Sequence, residues 1–208
     1  MIYAVVPVKS LETAKSRLAP ALSPGQRAGL VEQLLARVLH AVAGSDAIAG
    51  MAVVSPDPRA LAIAAAAGAV PLAQAGGGLN EALEQARAWA LAGGADTLLV
   101  LLGDLPLLQS ADIAAMAEIA RDPVRGGPVV VVAPDRHRRG TNALLLSPPG
   151  TLPFHFGYDS YARHTQDALA GGAELMIYQS LGTGFDLDTP GDLADLPPPG
   201  PPIPAGPA

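Results

Sequence analysis

The stretch TLLVLLGDLPLL, residues Thr97 to Leu108, decides the fold. Leu98 to Leu102 is a continuous apolar run with no alternation, closed by Gly103 and followed by a lone acid, Asp104. So short and uniform a run reads as a strand buried on both faces, in the middle of a parallel sheet with helices on each side. Pro106 keeps the strand from continuing. Ligands of such sheets bind beyond the carboxyl ends of the strands, and Asp104 stands at that end. An acid there could merely cap the next helix. Ser110 is better placed for that, so Asp104 reads as an anchor for a metal or a polar substrate.

Working outward, Ile2 to Val6 is a β-branched run that reads as a first strand. It enters the loop VPVKSLETAKSRLAP, where Lys9, Lys15 and Arg17 gather three of the chain's 13 cations. The formal net charge is −6, so a cationic cluster after a first strand suggests an anion site. Ser23-Pro24-Gly25-Gln26 carries a cap, a proline for the first helical turn and a capping-box glutamine. Leu30, Leu34, Val38 and Val42 then recur at helical spacing. Met51 to Ser55 is the next strand, Asp57-Pro58 opens a helix that ends near Gly68, and Val70 to Leu72 is a brief third strand. QAGGGLN, residues 74–80, cannot be the interior of an element. Its glycines, Gly78 among them, let backbone approach a ligand, and Asn80-Glu81 opens the helix that leads to the central strand.

The second half reads differently. Strands at Val129–Ala133 and Thr141–Leu146 flank the basic turn DRHRR, residues 135–139, as a β-hairpin. A helix from Ser160 to Ala170, a strand at Glu174–Tyr178, an extended Gly184–Asp188 and a short helix capped by Thr189 follow. The expected architecture is a single α/β domain over residues 1–196. It has a mostly parallel sheet flanked by helices, with a β-hairpin excursion in its second half. PPPGPPIPAGPA, residues 197–208, reads as a disordered or polyproline tail.

Composition narrows the function. The chain of 208 residues has no cysteine, which excludes disulfides, thiolate metal sites and cysteine nucleophiles. Its acidity argues against a nucleic-acid partner. No membrane span or signal peptide is apparent, so a cytoplasmic location is expected. Oligomeric state is left open, a homodimer included. His40, His137, His155 and His164 follow no metal-ligand spacing and receive no catalytic role. Asp104 together with Asp186 and Asp188 are carboxylates distant in sequence that can converge on magnesium, with substrate phosphates completing its shell. Thr141, Gly157 and Ser160 form a neutral donor set suited to a second small anion.

The motifs VPVKSLETAKSRL, GGGLNEAL, GDLPLL, GTNALL, FGYDSYARH and FDLDTPGDL, in this order, resemble those of the phosphoenolpyruvate and 2-phospho-L-lactate guanylyltransferases of coenzyme F-420 biosynthesis. The resemblance covers residues 1 to about 196. It implies a nucleotide-diphospho-sugar-transferase-like, Rossmann-like fold, with GTP, a small phosphorylated carboxylic acid and Mg2+ as reactants and cofactor. Asp104 and Asp188 would hold the metal, with Asp186 as the competing ligand. Lys9, Lys15 and Arg17 would meet the triphosphate, Lys15 as a catalytic cation. Gly78 and Asn80 would lie near the guanine nucleotide, and Thr141, Gly157 and Ser160 would hold the acid. Phosphoenolpyruvate is the favoured acid, with 2-phospho-L-lactate and 3-phosphoglycerate as alternatives. Three rival readings remain. Asp186-Leu187-Asp188 imitates the D-x-D of sugar-nucleotide glycosyltransferases, although GDLP holds that signature's usual mid-chain place. Molybdopterin guanylyl transfer is disfavoured by Pro7-Val8-Lys9, where those relatives have a glycine-rich loop. A nucleotide-binding module without turnover is the third.

Overall fold

The computed structural model describes residues 1–122 and 126–196. The Pro-rich tail expected over 197–208 lies outside the described residues. Seven strands form one sheet in the order β3-β2-β1-β4-β6-β5-β7. They are β1 (Ile2–Pro7), β2 (Ile48–Ser55), β3 (Val70–Ala73), β4 (Thr97–Leu101), β5 (Val129–Pro134), β6 (Thr141–Ser147) and β7 (Glu174–Ile177). Strand β4 lies beside β1 as expected, with Leu98 to Leu101 wholly buried. Only β6 runs antiparallel to its neighbours, pairing with β4 on one side and β5 on the other. The first residue of β6, Thr141, therefore reaches the edge where the parallel strands end.

Helices cover both faces. On one lie α1 (Pro24–Ala43), α2 (Pro58–Ala66) and α4 (Ser110–Arg121). Val31, Leu35, Val38 and Leu39 of α1 pack there with Ala4, Val6, Leu99 and Leu101. Alternate strand residues Val5, Leu98, Val100, Val130 and Leu144 face the other side, against α3 (Leu79–Ala92) and Ala168 of α5 (Ser160–Ala170). Each fully buried Leu or Val of this double core contributes about 1.5–3 kcal/mol of transfer free energy. The chain order reverses between β1 and β4, the switch point where α/β sheets open a crevice at their carboxyl ends.

Three local expectations are corrected. Helix α4 is capped by Gln109, whose partner in a capping box is Asp112, and not by Ser110. Residues Ser16–Leu18 form a 3-10 turn inside the expected loop. Gly184 does not begin an extended segment but ends the helical turn α6 (Leu181–Gly184). Glycine-rich LGTG has poor helix propensity. The turn forms because Ser180 Oγ accepts the Thr183 N–H at 3.0 Å and because Gly182 packs on Asp112 and Leu107 too closely for a side chain. Elsewhere the caps follow the sequence. Ser23 and Gln26 form the capping box of α1, and Thr189 and Asp192 that of α7 (Pro190–Asp195).

Asp57 links this scaffold to the first loop. One carboxylate oxygen accepts the Arg59 N–H at 3.0 Å and caps α2. The other accepts the Leu11 N–H at 2.8 Å and fixes the chain between Lys9 and Lys15. Asp57→Ala removes a cap and strands a buried donor, so it is expected to destabilise by about 2–3 kcal/mol in urea unfolding. A loss below about 0.5 kcal/mol, the range of ordinary surface substitutions, would contradict the double role.

Candidate active site

The cations and acids singled out from the sequence converge at the carboxyl edge of β1 and β4. Lys15 Nζ lies 2.5 Å from Asp104 Oδ2 and 2.6 Å from Asp188 Oδ1, joining positions far apart in the chain. The lysine side chain is almost enclosed, whereas Asp104 and Asp188 are partly open to solvent. Burial pulls the Lys15 pKa down, but Asp104 and Asp188 outweigh it, so the ammonium stays charged with a raised pKa. Its backbone is left-handed, at φ 55, a strained conformation that places the side chain between the two acids. Arg17 reaches Asp188 only at 3.9 Å and is mostly exposed. Lys9 is exposed and lines the cleft.

Asp186 stands beside these acids, half-buried. Asn142 Nδ2 approaches its Oδ1 at 3.5 Å. Burial, then the charges of Asp104 and Asp188, raise its pKa. The segment carrying these acids is clamped. Leu187 N–H donates to the Asp104 carbonyl at 3.2 Å, and Asn142 donates to the Thr183 carbonyl at 2.9 Å. Asp192 accepts the backbone N–H groups of Asp188 and Thr189 at 2.8 and 2.6 Å with one oxygen. Its other oxygen pairs with the Arg136 guanidinium, which lies over the Phe185 ring. Arg136 thus has a place in the site that sequence reading could not assign.

The residues fit a divalent cation. Lys15 shows that the Asp104–Asp188 pair accepts a cation. Asp104 Oδ1 is buried without a hydrogen-bond partner among the described residues. No cluster of three or more acidic, histidine or cysteine side chains forms a ready-made metal cage among those residues. A carboxylate pair open to substrate suits magnesium, which takes one or two carboxylates and shares phosphates with the substrate.

Two adjoining cavities share Pro7, Val8, Lys9 and Leu79. One, about 250 Å3, contains Lys15, Asp104 and Asp188. The other, about 270 Å3, is walled by Pro56, Gln74, Gly77 and Gly78. Together they make a trough with its charged end at the switch point. Gly77 has φ +73, a backbone conformation that favours glycine there. Gly78 caps α3 with its backbone. Asn80 uses both ends of its amide on the Phe156 backbone, at 2.8 and 3.2 Å, joining this loop to the FGYDS loop. A larger cavity than either, about 830 Å3, lies between α1, α4 and α6 and includes none of Lys9, Lys15, Asp104 or Asp188.

Thr141 and Ser160 come together. Ser160 Oγ accepts the Thr141 N–H at 2.9 Å, and both residues are buried. Gly157 is exposed on the same loop at φ +125. Asp159, not Ser160, occupies the N-cap of α5. The first amides of that helix are partly occupied, Ser160 N–H by Gly157 and Tyr161 N–H by Arg139. Thr141 Oγ1 also meets His164 Nδ1 at 3.0 Å, a contact the scattered histidines gave no sign of. The one available signal was spacing, because Ser160 and His164 share a helix face one turn apart. Asn142 O accepts the Leu102 N–H at 2.9 Å, so this hydroxyl pair borders Gly103 and Asp104 across the sheet.

Comparison with known proteins gives the family and the fold. The family described as Guanylyl transferase CofC like matches residues 2–198. A phosphoenolpyruvate guanylyltransferase of Rubrobacter xylanophilus is 49% identical over 94% of this chain and 93% of its own. One of Sphaerobacter thermophilus is 47% identical over 93% and 91%. A 2-phospho-L-lactate guanylyltransferase of Methanothermobacter thermautotrophicus is 32% identical over 93% and 82%. Among solved structures, a putative nucleotide-diphospho-sugar transferase from Desulfovibrio desulfuricans G20 superposes with a TM-score of 0.74 at 17% identity, over 92% of this chain and 84% of that one. The chain belongs to the CofC-like guanylyltransferase family and is a nucleotidyltransferase with the expected nucleotide-diphospho-sugar-transferase-like fold. No helix among the described residues is long and apolar enough to cross a membrane.

His164 also sets a pH dependence of stability. Burial, then the neighbouring His155, lower its pKa from 6.5 to about 4, against the opposing pull of Asp167. The unfolded chain therefore binds more protons in this window, and stability present above pH 6.5 is lost as pH falls toward 4. Between pH 6.5 and 5 the loss is expected to be on the order of 1.5 kcal/mol. Chemical unfolding across this range should show that slope, and His164→Gln should lack it.

Proposed function

We propose that this enzyme transfers the guanylyl group of GTP to phosphoenolpyruvate and releases pyrophosphate. The carrying observation is the Lys15-bridged pair Asp104–Asp188 at the charged end of the trough, with the buried hydroxyls of Thr141 and Ser160 on the neighbouring strand and helix. The relatives at 49% and 47% identity bear the phosphoenolpyruvate name, and the one at 32% bears that of 2-phospho-L-lactate. That favours the first acid and keeps the second as the alternative. The two differ little in shape, so pocket geometry decides between them. A cytoplasmic location accords with a cysteine-free chain and charged substrates.

In the reaction, a phosphate oxygen of the acid forms a bond to the α-phosphorus of GTP while the bond from that phosphorus to the pyrophosphate oxygen breaks. The electron pair leaves with pyrophosphate. A phosphate monoester is largely ionised at neutral pH, its second pKa being about 6, so no general base is needed. Catalysis becomes alignment and charge neutralisation. Lys15 stays protonated and meets phosphate charge at the dyad, with Lys9 and Arg17 at the open rim. Asp104 and Asp188, with Asp186 behind them, would hold magnesium, which supplies positive charge for the departing pyrophosphate. Thr141, Ser160 and the Gly157 backbone orient the acid beside them. Asn80 keeps the nucleotide and acid loops in register.

Pyrophosphate release should be followed with GTP, magnesium and either phosphoenolpyruvate or 2-phospho-L-lactate. Phosphoenolpyruvate is expected to give the higher kcat/KM, and Asp104→Asn to lower turnover about a hundredfold or more without altering the far-ultraviolet circular dichroism. Turnover with neither acid would refute the assignment. Near-normal turnover by the variant would remove Asp104 from the reaction.

A further inference from the structure

The hydrogen bonds around His164 have one consistent polarity. Its ring is fully buried. Nε2 lies 3.0 Å from the backbone nitrogen of His155, which can only donate, so Nε2 carries no proton. In a neutral imidazole the proton is then on Nδ1, which faces Thr141 Oγ1 at 3.0 Å. His164 donates and the threonine hydroxyl accepts. The hydroxyl proton of Thr141 must turn elsewhere, and no acceptor for it stands among the described residues. Ser160 is in the same state. Its Oγ accepts the Thr141 N–H, and its own proton has no acceptor among those residues. Buried donors without partners are rare in folded proteins, and an oxygen-rich anion would satisfy both.

We infer that His164 is a positioning residue for the acid: as a neutral ring protonated on Nδ1, it makes the Thr141 hydroxyl a donor reserved for the acid's phosphate or carboxylate. This rests on the reading that Thr141 and Ser160 meet the acid. The surroundings hold the ring in that form. Phe156 packs edge-on at 5.0 Å, and the His155 ring pairs with Asp167 at 2.8 Å. A second proton on Nε2 would oppose the His155 N–H, in keeping with the lowered pKa. A hydroxyl left free to rotate could accept as readily as donate. Locked by His164, it presents only its proton, and so favours anions over neutral carbonyl or amine ligands.

The wild-type enzyme gives the first test. Nitrogen-15 shifts of the His164 ring, recorded from pH 6 to 8 with and without phosphoenolpyruvate, are expected to report a protonated Nδ1 and a bare Nε2 throughout. The opposite tautomer overturns the inference. Kinetics give the second. Gln at 164 keeps an acceptor near the Nε2 position but no donor near Nδ1, and Asn does the reverse. His164→Gln is expected to raise KM for phosphoenolpyruvate by roughly tenfold or more, leaving KM for GTP and the melting temperature near wild type. His164→Asn should recover most of that affinity. An equal rise in both KM values with a lowered melting temperature in both variants would make His164 mere packing. Thr141→Val separates the levels. If it leaves KM for phosphoenolpyruvate unchanged, the acid-site reading falls and the inference with it. If it raises that KM while His164→Gln does not, the inference alone falls.

Discussion

One ammonium group holds the site together. Lys15 lies between Asp104, at the end of the central strand, and Asp188, near the last helix. Without it, two carboxylates and the nearby Asp186 would repel one another at a partly buried edge. With it, the first loop is drawn onto the sheet and kept in a left-handed backbone that a non-glycine residue rarely adopts. The same charge suits a triphosphate. In the proposed reaction, a cation already held by acids would exchange part of that pairing for phosphate. In a chain with a net charge of −6, an anionic substrate needs locally concentrated positive charge, and Lys9, Lys15 and Arg17 gather it in this loop.

Other bonds turn the carboxyl edge into a single unit. The antiparallel course of β6 brings Thr141 to the edge where β1 and β4 end. Asn142, next in the chain, donates to both Thr183 and Asp186, so β6 ties the Thr141 hydroxyl to the segment that carries Asp186 and Asp188. At the hairpin tip, Arg136 reaches Asp192, which grips the backbone of Asp188, while the Arg139 carbonyl accepts the N–H of Tyr161 in α5. Asn80 ties the glycine loop to Phe156. The hairpin is therefore a bracket between the Asp188 segment and α5.

Much of this was legible in the sequence, for local reasons. The unbroken apolar run of β4 needs burial on both faces, and that places Asp104 at the switch point. Caps at Ser23, Asp57 and Thr189 were readable because their chemistry lies within a few residues. The Lys15 bridge, the Arg136–Asp192 pair and the double use of Asn80 were not legible, because each joins segments remote in the chain. The amide of Asn80, which the sequence offers as a nucleotide contact, holds the Phe156 backbone at both ends. Helix α6 was missed because packing against Asp112 and Leu107 overrides the weak propensity of LGTG. His164 was passed over because a lone histidine has no spacing pattern. Its meaning lies in the donor on one side of the ring and the hydroxyl on the other.

The central claim is that Asp104 and Asp188 form the cation seat that receives GTP. The most direct test is how much magnesium strengthens GTP binding, titrated calorimetrically with the wild-type protein and with Asp104→Asn/Asp188→Asn. Magnesium should tighten GTP binding to the wild type and leave binding to the double variant unaltered, with the variant still folded. An undiminished magnesium effect in the variant would contradict the account and move the cation elsewhere.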